Sequence, residues 1–205
     1  SFVYIWRKLI CMQFENKLIH FFATMGEQLK KNKSIIAKEI CDAILAVENM
    51  PWSAKQSANP SNIKFFNTLF EDKSDLVQRF ANFADQLHWR QAGFGKLPEN
   101  ISHEISVTEF IGPNGIFENP NVRIGLLLQS PEIHYPRHWH TAEELYYIIS
   151  GTAKWATDDE KEKPYQPGNF VHHMSGQTHN MTTCSEPLLA LWGWTGDIDG
   201  ASYSI

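Results

Sequence analysis

The stretch His138-Trp139-His140-Thr141-Ala142-Glu143-Glu144-Leu145-Tyr146, answered later by His179, constrains this chain more than any other segment. Along a β-strand successive side chains point to opposite faces, so His138, His140, Glu144 and Tyr146 share one face by parity. That face carries two imidazoles, a carboxylate and a phenol, while Leu145, Tyr147 and Ile149 point the other way. Neutral imidazoles with one carboxylate suit a single divalent transition metal ion: zinc, iron, manganese, nickel or cobalt. The chain therefore reads as a metal site built inside a β-barrel.

Around that segment the sequence has two textures. From about Phe14 to Met50, apolar residues recur at helical spacing (Leu18, Phe21, Phe22, Met25, Leu29, then Ile36, Ile40, Ile44, Val47), and Pro51 closes the helix. Trp52 to Asn62 is a turn-rich linker. A second helical stretch covers Ile63 to Phe70 and Asp75 to Trp89, with Leu76, Phe80, Phe83 and Leu87 on one face, until Gly93, Gly95 and Pro98 break it. From about His103 the pattern becomes short strands. They cover Val122 to Gln129, Glu144 to Ser150, Thr152 to Thr157, Asn169 to His173, Gln177 to Thr182 and Leu188 to Thr195, with a charged hairpin tip at Asp158 to Lys163. The expectation is a mainly β protein: an α-helical N-terminal extension over residues 1–100, packed on a single β-barrel over residues 101–205 that holds the metal site.

Composition narrows the partners. Hydrophobic content of 42% with 20% charged residues is globular material rather than disorder. A net charge of -5 argues against nucleic acid, which demands clustered Lys and Arg. Cys11, Cys41 and Cys184 show no CxxC spacing and an odd count, which implies no disulfide framework and points to a reducing cytoplasm. Residues 1–12 are apolar, but Arg7 and Lys8 interrupt them, and the run is too short to span a bilayer and lacks a small-x-small cleavage site. The partner expected is a small molecule, with no membrane, and the protein is expected to be a monomer or homodimer.

The histidine segment resembles the first motif of the cupin family, HxH, three or four residues, Glu, six residues, Gly. His138-x-His140, Glu144 and Gly151 keep that spacing. The second motif, Gly, five residues, Pro-x-Gly, two residues, His, is similar to Gly168, Met174-Ser175-Gly176 and His179, with Met174 in place of proline. Glu132 stands where the first motif's leading glycine would fall, and no asparagine follows His179 at the usual distance. The resemblance implies a double-stranded β-helix, or jelly-roll, barrel. Among the other histidines, His172 and His173 are adjacent, so only one can face inward. His134 shares the parity of His138 but precedes Pro136, where a strand becomes irregular. His20, His88 and His103 lie outside the strand motifs and read as structural. Tyr146 should enter the cavity beside the metal. Either it fills the barrel with one hydrogen-bond partner, or its phenol, with a pKa near 10 when unperturbed, is drawn down by the cation. Tyr135 stands close enough to His138 to reach the same mouth. Trp192 and Trp194 share a face that parity assigns neither to the cavity nor to the helical layer; inside, they would meet a cationic substrate group.

The finer run Tyr135-Pro136-x-His138-x-His140-x-Ala142-x-Glu144-x-Tyr146-x-x-x-Ser150-Gly151 resembles the signature of the cupin-type dimethylsulfoniopropionate (DMSP) lyases. It covers roughly residues 103–200, while the helical half is similar in architecture alone. The resemblance implies β-elimination of DMSP to dimethyl sulfide and acrylate, with the metal on the substrate carboxylate and a tyrosine taking the proton from the adjacent carbon. Carried over, His140, Glu144 and His179 would be ligands, and His138 a ligand or a neighbour touching substrate. Tyr146 would be the base or a displaceable ligand, and Tyr135 and Trp194 would hold the substrate, Tyr135 also standing as the second candidate for the base. The alternatives are another metal-dependent cupin enzyme, a dioxygenase or isomerase acting on a small carboxylate, and a non-enzymatic sensor or storage cupin.

Overall fold

The long central strands carry apolar residues on both faces, and the structure buries both. The computed structural model describes residues 2–53 and 55–205, with side chains from residue 12 onward. Readings that rest on Ser1 or on the side chains of residues 1–11, Cys11 among them, lie outside the described residues. The helices are α1 (Phe2–Leu29), α2 (Ile35–Leu45), α3 (Phe66–Leu69), α4 (Asp75–Ala81) and α5 (Glu99–Ser102). The strands run from β1 (Arg90–Gln91), β2 (Ile105–Gly112), β3 (Phe117–Glu118) and β4 (Arg123–Gln129) through β5 (His134–His138), β6 (Ala142–Ser150) and β7 (Ala153–Thr157). They end with β8 (Lys163–Tyr165), β9 (Phe170–His173), β10 (His179–Thr183) and β11 (Leu188–Gly196).

A seven-stranded sheet runs β1-β2-β4-β11-β6-β9, with β3 beside β2; a four-stranded sheet runs β5-β10-β7-β8. Their inner faces share one apolar cluster, in which Leu127, Tyr146, Ile148, Ala190 and Trp192 of the larger sheet meet Tyr135, Trp155 and Met181 of the smaller. This is the jelly-roll barrel of the cupin fold. On the other face of the larger sheet, Leu126, Leu128, Leu145, Tyr147, Ile149, Leu189 and Leu191 join Phe21, Phe22, Ile40 and Phe80 of the helices in a second cluster. Each central strand thus buries both sets of alternating side chains, and the helical layer and barrel share the sheet between them. Edge-to-face contacts among Phe21, Phe22, Phe83 and Phe110 tie the helices down, with Phe22 and Phe110 centroids 5.2 Å apart.

Three departures from the periodicity have local causes. The predicted Phe14 to Met50 helix is two helices, broken at residues 30–34. There Asn32 Oδ1 accepts from Ser34 N–H (2.9 Å) and Ser34 Oγ accepts from Ala37 N–H (3.3 Å), so an Asx turn leads into an N-cap. The helix predicted to reach Trp89 stops at Ala81: the N–H groups of Asn82 and Phe83 turn to the carbonyls three residues back, Phe83 leaves helical dihedrals at φ -141°, and farther on Trp89 N–H donates to the Ala58 carbonyl (2.9 Å). Its apolar face is still buried, through Phe83 and Leu87. Finally, β1 puts Arg90 and Gln91 into the larger sheet, within the stretch assigned to the helical extension.

Two of the three motif departures also resolve. Glu132 adopts φ 57°, the left-handed conformation a glycine would take without strain. Met174 has the N–H that proline lacks and donates it to Gln177 Oε1 (3.1 Å), closing the turn before His179.

Candidate metal centre

The predicted cluster comes together, but not on one strand. His138 ends β5 in the smaller sheet, His140 lies in the connection, and Glu144 and Tyr146 sit on β6 in the larger sheet. The chain crosses the barrel between them, so the shared parity of His138 and Glu144 is not the reason they face each other; crossing from sheet to sheet is. Tyr135 also points inward, although its parity opposes that of His138. The register slips between His179 and Met181 on the paired strand, and that bulge turns both Tyr135 and His138 to the cavity. Outward-facing His134 instead meets Thr182 Oγ1 (2.8 Å) at the surface.

Local backbone sets each imidazole. His138 Nδ1 lies 2.8 Å from the Pro136 carbonyl, His140 Nδ1 3.0 Å from that of Ala142, and His179 Nδ1 2.9 Å from that of Gln177. A carbonyl only accepts, so each Nδ1 carries the proton and each Nε2 presents a lone pair. Among the described residues the Nε2 atoms of His140, His173 and His179 are buried without a hydrogen-bond partner. Glu144 Oε2 stands 3.4 Å from His140 Nε2 and 3.3 Å from His179 Nε2. Candidate ligand atoms of His138, His140 and His179 lie within 4.8 Å of one another, as do those of Glu144, His173 and His179. Converging lone pairs that no protein donor satisfies, beside a buried carboxylate, are what a divalent cation requires. These residues fit such an ion.

Charges inside agree. Burial alone would raise the Glu144 carboxyl, yet the neighbouring His140 and the hydrogen bond from His173 Nδ1 hold it well below the usual carboxylate range. Burial, then the neighbouring His179, pushes the His138 imidazole well down. Burial opposes protonation of His140 as well, but the Glu144 charge outweighs it and leaves that imidazole raised. The result is an ionised carboxylate ringed by lone pairs. In the protein chain alone, burial, then the Glu144 carboxylate, pushes the Tyr146 phenol well above 10. The chain by itself keeps that proton on, and only an added positive charge would draw it off.

Trp194 faces the barrel, its ring 4.2 Å from that of His140 and its indole N–H donating to Glu144 Oε1 at 2.7 Å. Trp192, Phe94, Arg90 and Tyr203 complete the pocket over His138, His140, Glu144 and Tyr146. The hydroxyls of Tyr203 and Tyr135 lie 2.8 Å apart.

The barrel and its contents have counterparts. Residues 63–190, well over half of the chain, match the profile of the dimethylsulfoniopropionate lyase family. This chain belongs to that family. Over 91 residues it is 33% identical to the dimethylsulfoniopropionate lyase DddQ of Ruegeria pomeroyi, covering 44% of this chain and 45% of that relative, less than half of its length. A crystal structure described with the DMSP lyases RdDddP and RnDddQII superposes with TM-score 0.73 at 22% identity, over 94% of this chain and 98% of that one. The crystal structure of DMSP lyase DddQ from Ruegeria pomeroyi DSS-3 gives 0.72 at 18% identity, over 93% and 96%. At those identities the superpositions speak for the fold, helical layer included, and the lyase profile speaks for the family.

Several members of the site carry no sequence signal. Arg90 and Phe94 precede the strand region, and Tyr203 follows the last strand, so no periodicity points them inward. His173 was half-legible: one of two adjacent histidines had to face in, and it is His173, while His172 pairs with Glu143 (2.6 Å) at the surface.

Proposed function

We propose that this chain is a metal-dependent carbon–sulfur lyase that cleaves DMSP to dimethyl sulfide and acrylate by base-initiated β-elimination. The observation that carries the reading is the Tyr146 phenol beside a buried cluster of imidazole lone pairs and one carboxylate, within the stretch that matches the lyase family. His138, His140 and His179 through Nε2, with Glu144, would hold one zinc, iron, manganese, nickel or cobalt ion. When bound, such an ion supplies a Lewis acid for charge building on a substrate carboxylate and the positive charge that lowers a neighbouring phenol.

Tyr146 takes a proton from the carbon next to that carboxylate. The electron pair of the C–H bond becomes the double bond of acrylate, and that of the C–S bond leaves with sulfur as neutral dimethyl sulfide. Sulfonium is already a good leaving group, so no strong acid is needed opposite Tyr146. Trp192, Trp194 and Phe94 form an aromatic wall suited to the sulfonium cation of the substrate before sulfur leaves as neutral sulfide. The paired hydroxyls of Tyr135 and Tyr203 offer polar contacts at the same wall. Burial pushes both phenols well above 10, Tyr135 beside Tyr203 and Tyr146 beside the Glu144 carboxylate; Tyr146 is assigned as the base because it stands next to Glu144, where a bound cation would lower it. Cys41 and Cys184 are free thiols, in keeping with a cytoplasmic enzyme. Among the described residues no helix is long and apolar enough to cross a membrane.

Metal-loaded protein given DMSP with oxygen excluded should release dimethyl sulfide into the headspace. A requirement for oxygen, or turnover only of other small carboxylates, would favour the dioxygenase or isomerase reading instead.

A further inference from the structure

Glu144 lies in the middle of a ladder. Its cross-strand neighbour on β11 is Trp194, and its cross-strand neighbour on β9 is His173. Each sends an N–H to a different carboxylate oxygen: Trp194 Nε1 to Oε1 at 2.7 Å, and His173 Nδ1 to Oε2 at 3.0 Å. His173 has no solvent exposure at all, and its ring stacks on that of His179 at 3.8 Å between centroids and 15° between planes. It therefore touches Glu144 and His179, two of the four side chains proposed above to hold the ion, and the elimination gives it no part.

We infer that His173 is a positioning residue for the metal centre: its Nδ1–H, opposite the Trp194 indole, fixes the rotation of the Glu144 carboxylate. The inference rests on reading the cluster as a metal site. A carboxylate on a free side chain rotates about its last bond, whereas one gripped at both oxygens from both flanking strands has its orientation set before any ion arrives. Outer partners of this kind typically alter metal affinity by about 10–100-fold when removed. The donor must be an N–H at the Nδ1 position, because the ionised carboxylate only accepts.

The test is zinc affinity, measured by competition with a chromophoric chelator and without substrate, backed by the visible spectrum of the cobalt-loaded protein. His173→Phe keeps a ring against His179 but has no donor; His173→Asn restores a donor near Nδ1 without the stacked ring. His173→Phe should bind zinc about 10–100-fold more weakly and shift the cobalt spectrum, while His173→Asn recovers most of the affinity. Should His173→Phe fail to fold by circular dichroism, His173→Leu replaces it as the variant without a donor. Wild-type affinity in the donor-less variant overturns the inference, and so does equal loss in the donor-less and asparagine variants, which would make His173 a ligand or a packing group. Wild-type protein that binds no zinc overturns the metal reading itself; normal zinc binding without DMSP cleavage overturns only the proposed reaction.

Discussion

At the scale of single residues, the site is a set of buried lone pairs whose tautomers are fixed by carbonyls two residues away. His179 begins β10 and faces both Glu144 and His138, so removing it takes a donor from each candidate ligand group. His179→Ala should abolish stoichiometric metal, read by elemental analysis after reconstitution, while circular dichroism stays native because the aliphatic clusters are untouched. Full metal occupancy would refute that ligand assignment. Tyr146→Phe keeps the ring against Trp155 and loses the proton acceptor. A positioned base contributes roughly 10²–10⁴-fold, so turnover with excess metal should fall by about that much. Near-normal turnover would move the role to Tyr135. His138, His140, Glu144, Tyr146 and His179 were legible because each sits in a fixed motif spacing. Tyr203 was not, since a tail residue enters the cavity by tertiary packing alone.

At the scale of elements, the central strands decide the architecture. β6 and β11 each alternate between barrel and helical layer, and that two-faced burial is visible in the sequence as near-continuous apolar runs. Their inward residues could not be assigned from parity, because both faces are equally buried; Trp192 and Trp194 face the barrel since Leu189 and Leu191 face the helices. Gly193, between the tryptophans, is where α2 rests on the sheet, and a Cβ there would come 2.4 Å from Ile40 Cδ1. Gly193→Val should therefore push α2 off β11 and destabilise the protein by about 1–3 kcal/mol, measured by denaturant unfolding. An unchanged midpoint would mean that α2 is not seated there. Helix ends were the least legible elements, since α4 ends in a tightened turn at Asn82 and Phe83 with no glycine or proline in the sequence to mark it.

At the scale of the whole molecule, the buried imidazoles couple stability to pH. Burial, then the neighbouring His179, lowers His173 to about 4, and His138 is depressed as well. Against an unfolded value near 6.5, the unfolded chain binds more protons between pH 6.5 and 4. The stability these groups confer is complete above pH 6.5 and is lost as pH falls towards 4, by about 3 kcal/mol for His173. Raised His140 opposes this, and depressed Glu144 adds a loss at still lower pH. Chelator-treated protein should thus melt at steadily lower temperature from pH 7 to 5; a flat or rising profile would contradict the buried neutral imidazoles. The central claim concerns the reaction, and paired quantification of dimethyl sulfide and acrylate tests it most directly. Metal-loaded protein should form the two in equal amounts from DMSP, lose both on stripping with chelator and regain both on reloading. Acrylate without matching dimethyl sulfide, or undiminished turnover by stripped protein, would contradict a metal-dependent β-elimination at this site.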